Sequence, residues 1–130
     1  MKYLLDTHII LWIAENSPKL SAAVKDIILD DSIEKYVSIV SCWEVSIKLN
    51  LGKLDLAGGT SEFFRIIREN GFVLLQIAEE HLSILDSLPL RHRDPFDRLL
   101  AATAISEKLI LLTDDTQLLS YEDDMLQIMS

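Results

Sequence analysis

The chain has 130 residues, 49% of them hydrophobic and 25% charged, with four glycines and three prolines. Such a composition excludes a disordered chain or a collagen-like repeat, and the length is that of one ordinary domain, expected to run over residues 1–130 with no dividing linker. Twenty-one acids against twelve Lys and Arg give a formal charge of −9, which on its face argues against a phosphate-rich partner, because such partners usually meet a basic surface.

Lys2 to Leu5 is a short apolar run that stops at Asp6, and the dense apolar stretch Ile9 to Ile13 suits a buried helix. This predicts a strand, a turn at Asp6-Thr7, and a helix. Ser21 to Leu29 carries Ala22, Val24, Ile27 and Ile28 at helical spacing and closes at Asp30-Asp31. Tyr36 to Val40 is aromatic and β-branched, which predicts a second strand, and Ser41 then opens a helix to Leu51 that Gly52 ends. Asp55 to Thr60 reads as a loop, Glu62 to Asn70 as a helix stopped by Gly71, Phe72 to Ile77 as a strand, and Ala78 to Leu88 as a helix. A polar connection from Pro89 through Arg91, His92 and Arg93 leads to a helix from Asp94-Pro95 to about Lys108. Leu109 to Leu112 is a strand ending at Thr113-Asp114-Asp115, and Leu126 to Met129 is a last short strand. Continuously apolar strands alternating with helices predict an α/β fold in which a parallel sheet is sandwiched between helices.

The single cysteine, Cys42, forms no internal disulfide and reads as a small apolar filler, so nothing requires an oxidising compartment and the cytoplasm is the expected address. The N-terminus meets a carboxylate after two leucines, and Ile9 to Ala14 falls far short of the ~20 residues that span a bilayer. No signal peptide or membrane segment is expected.

Open α/β sheets bind ligands beyond the carboxyl ends of their strands, where helix N-termini also point free N–H groups. Asp6, Glu44, Asp94, Asp97, Asp114 and Asp115 all fall at that edge, from four distant segments. Carboxylates this close repel one another unless cations sit among them, and oxygen-only ligands favour Mg²⁺ or Mn²⁺ over zinc. Each acid also has a local reading. Ser41-x-x-Glu44 is a capping box, Glu44 can pair with Lys48, Asp94-Pro95-x-Asp97 is a sound helix start, and Asp6 and Asp115 can cap turns. Capping alone does not explain why strand-end acids recur four times on one edge.

Leu4-Leu5-Asp6-Thr7-His8, then Val40-Ser41-Cys42-Trp43-Glu44-Val45-Ser46-Ile47-Lys48 with Leu51-Gly52-Lys53-Leu54, then His92-Arg93-Asp94-Pro95-Phe96-Asp97-Arg98-Leu99-Leu100-Ala101-Ala102, and Leu112-Thr113-Asp114-Asp115 resemble, in order, the motifs of PIN-domain ribonucleases. The pattern is most similar to the VapC-type toxins of prokaryotic toxin–antitoxin pairs and spans Met1 to about Leu119. The resemblance implies that Asp6, Glu44, Asp97 and Asp115 form an acidic quartet holding Mg²⁺ or Mn²⁺. The implied reaction is endonucleolytic hydrolysis of RNA, leaving a 5′-phosphate and a 3′-hydroxyl. The Thr-x-Asp pattern selects Asp115 over Asp114. It also implies a homodimer and a small antitoxin whose C-terminal segment lies over the site. The apolar N-terminal half, with Ile9 to Ile13, Leu20 and Ile27 to Leu29, can supply both a core and a groove for an amphipathic helix.

Asp94 is then expected as the N-cap that positions Asp97, a direct metal ligand being the alternative, while Thr113 and Ser41 either bond the quartet or act as caps. Arg98 is expected on a site carboxylate or on phosphate. Trp43 and Phe96 are expected in the core, base stacking being the alternative. Lys48, Lys53, Arg91 and Arg93 line the RNA path, or form a solvated face. None of His8, His81 and His92 is assigned as a general base, because metal ions supply the activated water and the sink for leaving-group charge. A phosphoacceptor receiver domain fits poorly, since its acid pair follows the first strand, whereas here Asp6 stands alone and the pair is Asp114-Asp115. An Asp-x-Asp phosphatase fails at Asp6-Thr7-His8. An inactive PIN-like binding module keeps the fold but leaves the full quartet unexplained. Nine of the acids lie at the proposed site or in Glu122-Asp123-Asp124, and the other twelve match the twelve Lys and Arg. The excess negative charge is therefore better read as a demand for metal than as a bar to nucleic acid.

Overall fold

Five short strands rich in Leu, Ile and Val pair in the computed structural model, which describes residues 1–115, 117–122 and 127–129. Strands β1 (Lys2–Leu5), β2 (Glu34–Ser38), β3 (Val73–Leu75), β4 (Ile110–Leu112) and β5 (Gln127–Met129) form one sheet in the order β3-β2-β1-β4-β5. Every pairing is parallel, with Tyr3 opposite Lys35 on one side and Ile110 on the other. Parallel strands need crossovers, and six helices supply them: α1 (Thr7–Glu15), α2 (Ala22–Leu29), α3 (Ile39–Asn50), α4 (Gly59–Glu69), α5 (Glu79–Ser87) and α6 (Pro95–Glu107). A 3-10 turn covers Leu118–Tyr121.

Because successive side chains leave a strand on opposite faces, β1 sends Tyr3 and Leu5 to one core and Leu4 to the other. The first core joins them to Ile9, Ile10, Val24, Ile28, Val45, Phe63 and Ile67 from α1 to α4. The second joins Leu4 and Leu111 to Leu100, Ala101 and Ala104 of α6, with Leu118 and Tyr121 closing it. This is the three-layer α/β/α sandwich expected from the alternation of elements. Among the described residues no helix is long and apolar enough to cross a membrane.

Most boundaries fall within a few residues of expectation, and Gly52, at φ 69, follows the end of α3 as predicted. The junction of β2 and α3 differs. Tyr36 to Val40 is not one strand: β2 stops at Ser38 and the helix already begins at Ile39. Ser38 is the N-cap, its Oγ accepting from Val40 N at 3.1 Å, and that cap overrides the β preference of Ile39 and Val40. Ser41 is therefore inside the first turn and Glu44 beyond it, so the capping-box reading of this pair is incorrect. The third strand is also shorter than Phe72 to Ile77, and Leu126, expected to start the last strand, lies outside the described residues.

Candidate active site

The central strands β1 and β4 end side by side, and Asp6 N donates to Leu112 O at 2.9 Å, which fixes the two exits together. Asp6 is the N-cap residue of α1 yet makes no cap bond with its side chain. It is 1% exposed. Its Oδ2 accepts from Thr113 Oγ1 at 2.8 Å, and its Oδ1 is buried with no hydrogen-bond partner among the described residues. Burial pushes the Asp6 carboxyl up; the Thr113 hydrogen bond opposes this, while Glu44 and Asp115 add to it. Thr113 also accepts from Asp115 N at 3.0 Å, so one hydroxyl ties the two acids at the ends of β1 and β4.

Glu44 reaches the same region from the second turn of α3. Thr7 Oγ1 donates to Glu44 Oε1 at 2.7 Å and lies 2.8 Å from Ser41 Oγ, all three side chains being buried. Lys48 Nζ sits 2.6 Å from Glu44 Oε2, one helical turn on. Burial lowers the Lys48 pKa, but the bond to Glu44 and the fields of Glu44, Asp94 and Asp97 outweigh it and hold the ammonium charged.

Asp97 projects from the first turn of α6. Its start is fixed as the sequence predicts, by Asp94 as N-cap, with Oδ1 accepting from Phe96 N at 2.9 Å and Pro95 at the first position. Burial, followed by the fields of Asp6, Asp94, Glu44 and Asp115, pushes the Asp97 carboxyl up to about 8. Asp115 behaves oppositely. Burial raises it, yet the hydrogen bonds from His92 and the Gln117 backbone outweigh that and bring its pKa below the usual carboxylate value. Asp114 is exposed and makes no side-chain bond among the described residues, but it lines the same open cleft as Asp6, His8, Trp12 and Asp115, about 180 Å³ in volume.

Asp6, Glu44, Asp97 and Asp115 are thus brought to one edge of the sheet and act on one another electrostatically. A family model for the PIN domain matches residues 3–123. The chain belongs to the PIN-domain family. Three solved structures share its fold along nearly the whole length. VapBC2 from Rickettsia felis bound to a DNA fragment from the promoter has a TM-score of 0.74 at 15% identity, covering 99% of this chain and 98% of that one. DNA-bound VapBC from Salmonella typhimurium gives 0.71 at 15% identity, with 99% and 97% covered. VapBC-1 from nontypeable Haemophilus influenzae gives 0.65 at 23% identity, again with 99% and 97% covered. A comparison with curated proteins finds no significant match.

Within this PIN domain several candidate residues lie away from the acids. Arg98 does not reach a site carboxylate: its Nη2 donates to Leu88 O at 3.1 Å and its guanidinium faces Tyr121, while Nε has no partner. Arg91 donates from Nη1 to Ser120 O at 2.8 Å and stacks over the Tyr121 ring, which holds the loop more than it offers a free cation. Lys53 and Arg93 are exposed. Trp43 is not a core residue, since it is 60% exposed and meets Phe96 edge-on at 5.4 Å. Cys42 is the buried filler expected, and burial pushes its thiol up to about 11.

Two contributors were not assigned from sequence. Thr7 was read only as part of a turn, yet it holds Glu44 across 37 positions of chain. His92 Nε2 lies 3.1 Å from Asp115 Oδ2 and 3.2 Å from Asp97 Oδ2. The signal for Thr7 is a hydroxyl immediately after a strand-end acid. For His92 it is an imidazole two residues before an N-cap, close enough to accept that cap's N–H.

Proposed function

We propose that this PIN domain is a Mg²⁺- or Mn²⁺-dependent endoribonuclease that acts as the toxin of a toxin–antitoxin pair, with Asp6, Glu44, Asp97 and Asp115 as metal-holding and catalytic residues. One observation carries the reading: four buried or half-buried carboxylates from separate elements meet with too few donors, so that Asp6 Oδ1 is left unpartnered and Asp97 is pushed up to about 8. A divalent cation among hard oxygen ligands corrects both defects. Lys48 supports the fit, since its ammonium already supplies Glu44 with a positive partner. When bound, the metal lowers the pKa of a water for in-line attack on phosphorus and stabilises charge on the leaving oxygen.

The chain's own residues do the rest. Thr113 fixes the orientation of Asp6 and the backbone before Asp115, Thr7 fixes Glu44, and the Asp94 cap fixes the turn that bears Asp97. Lys48, Lys53, Arg91 and Arg93 are the cations proposed to meet an RNA backbone that has to pass an acidic edge. An antitoxin partner is supported by the VapBC complexes among the structures of like fold. A cleft of about 240 Å³, its apolar side formed by Ile13, Leu20, Ile28 and Leu29 and its polar side by Asn16, Lys25 and Asn70, offers a seat for an amphipathic peptide helix. Homodimerisation, a single-domain organisation and a cytoplasmic site of action complete the proposal.

Incubating the purified, antitoxin-free protein with total RNA and Mg²⁺, with and without chelator, tests it. Cleavage that requires metal and leaves 5′-phosphate ends is the expected result. RNA profiles identical in every lane, with and without Asp6→Asn, would overturn the nuclease reading and leave a binding module. Expression of the chain alone is expected to arrest growth and co-expression of its antitoxin to restore it; normal growth at confirmed expression would remove the toxin assignment only.

A further inference from the structure

We infer that His92 is a positioning residue that donates its Nε2–H to Asp115, close beside Asp97, and that it is not itself a metal ligand. The inference rests on the metal-dependent reading above. By distance alone the opposite would be concluded, because His92, Asp97 and Asp115 each offer one ligand atom within 4.8 Å of the others. The hydrogen bonding of the ring decides otherwise. His92 Nδ1 accepts from Asp94 N at 3.0 Å. A ring nitrogen that accepts presents its lone pair, so the proton of the neutral imidazole resides on Nε2. That nitrogen is the one 3.1 Å from Asp115 Oδ2 and 3.2 Å from Asp97 Oδ2. To bind a cation, Nε2 would have to give up its proton to Nδ1, where it would meet the Asp94 N–H donor to donor in a ring only 5% exposed.

The ring is also held in place from behind. Tyr121 Oη accepts from Arg91 N and from His92 N, both at 2.9 Å, and donates to Pro89 O at 2.7 Å, which uses the hydroxyl fully. Tyr121 thus holds the backbone that carries the ring, and the bond from Asp94 N holds the ring itself. The result is an N–H placed between an acid of α6 and an acid of the loop after β4, whose carboxylates repel one another. Partners of this kind, which orient a ligand without touching the metal, typically change metal affinity by about 10- to 100-fold when removed.

The test uses the full chain at neutral pH with two readouts. Mn²⁺ binding is titrated calorimetrically for the unaltered chain, His92→Leu and His92→Gln, and the ring tautomer of His92 is read from long-range ¹H–¹⁵N NMR correlations before and after Mg²⁺. Loss of about 10- to 100-fold in Mn²⁺ affinity is expected for His92→Leu, with most of it recovered in His92→Gln, whose amide N–H can reach the same carboxylates. The Nε2–H tautomer is expected both without and with Mg²⁺. An Nδ1–H tautomer in the Mg²⁺ form, or His92→Leu binding Mn²⁺ as tightly as the unaltered chain, would overturn the inference. Should His92→Leu not fold, the tautomer of the unaltered chain still decides. Absence of Mn²⁺ and Mg²⁺ binding by the unaltered chain would instead overturn the metal-dependent reading, and this inference with it.

Discussion

Helix α6 is flanked by a buried histidine at each end, and the two are built alike but live in different company. At the C-terminal end, His81 Nδ1 accepts from Ala78 N at 3.1 Å and its Nε2 lies 3.2 Å from Glu107 Oε1. At the N-terminal end, His92 Nδ1 accepts from Asp94 N and its Nε2 faces Asp115 and Asp97. The local chemistry is the same in both: a backbone N–H fixes the tautomer, and the remaining N–H meets a carboxylate. What differs is the balance of charge. Glu107 is 42% exposed, so one donor and water satisfy one acid. Around the four acids at the other end the described residues place Lys48, the His92 N–H and the field of His8, and still Asp6 Oδ1 finds no hydrogen-bond partner among them and Asp97 is raised to about 8. A histidine–carboxylate pair alone thus marks nothing. The shortage of positive charge around it distinguishes the end proposed as the active site, because a fold built only for stability has no reason to keep such a shortage.

The largest effect expected to separate the ends is on catalysis. Asp97→Asn should cut RNA cleavage on the order of a hundredfold or more, whereas Glu107→Gln should leave it unchanged. Initial rates on a labelled RNA at saturating Mg²⁺ check this, and equal losses in the two variants would erase the distinction.

Stability should respond to pH through the acidic end. In chelator, folded Asp97 keeps its proton up to about pH 8, while in the unfolded chain it releases it near ~4. Between those values the folded state binds the extra proton, so stability falls as pH rises, at up to about 1.4 kcal/mol per pH unit for one group. Asp6, also raised, adds to this slope, whereas Asp115, lowered, contributes stability that is lost only on acidification. Thermal unfolding from pH 5 to pH 8 should therefore show a falling Tm that Asp97→Asn reduces, and Asp97→Asn should be the more stable protein at pH 8. Adding Mg²⁺ at about a hundred times its Kd should restore about 2.7 kcal/mol to the unaltered chain and much less to the variant.

The acidic end was readable in the sequence because its signals are local: an apolar strand halted by Asp6, an Asp-Pro helix start carrying Asp97, and Thr113-x-Asp115 after another apolar run. The parallel sheet was readable for a similar reason, since the buried strands are continuously apolar. What escaped was decided across the fold. Ile39 and Val40 have strand-like side chains but lie under the Ser38 cap, and only the packing of α3 settles which wins. Arg98 looked like a ligand for phosphate because it follows Asp97 directly, yet adjacent helical residues point about 100° apart, and the guanidinium turns to Leu88 O instead. Thr7 and His92 meet their partners over distances of 37 and 23 positions in the chain, which no short motif encodes.

The C-terminal histidine supplies a structural control. His81 is 1% exposed, and His81→Leu strips an acceptor from Ala78 N and a donor from Glu107. A cost of about 1 kcal/mol is expected from the half-buried backbone N–H left without a partner, seen as a lower denaturation midpoint. Mn²⁺ affinity should not move. A change in metal binding as large as that expected for His92→Leu would mean that the two ends are coupled through α6 and that the contrast drawn between them is false.

The smallest effect is expected for Glu107→Gln, and its smallness carries the argument. The substitution keeps the shape of the side chain and an oxygen that can accept from His81 Nε2, while removing the charge. Because Glu107 is nearly half exposed, water already screens it, so the loss should stay within about 0.2–1 kcal/mol, the range of exposed ion pairs. Chemical denaturation in chelator at pH 7 measures this. A loss larger than that of His81→Leu would show that the Glu107 charge is held in a poorly screened site, as the charges at the acidic end are. A loss within the expected range means that the pair is held by geometry and that its charge is incidental. The opposite is expected of Asp97, where removing the charge in the absence of metal should stabilise the protein.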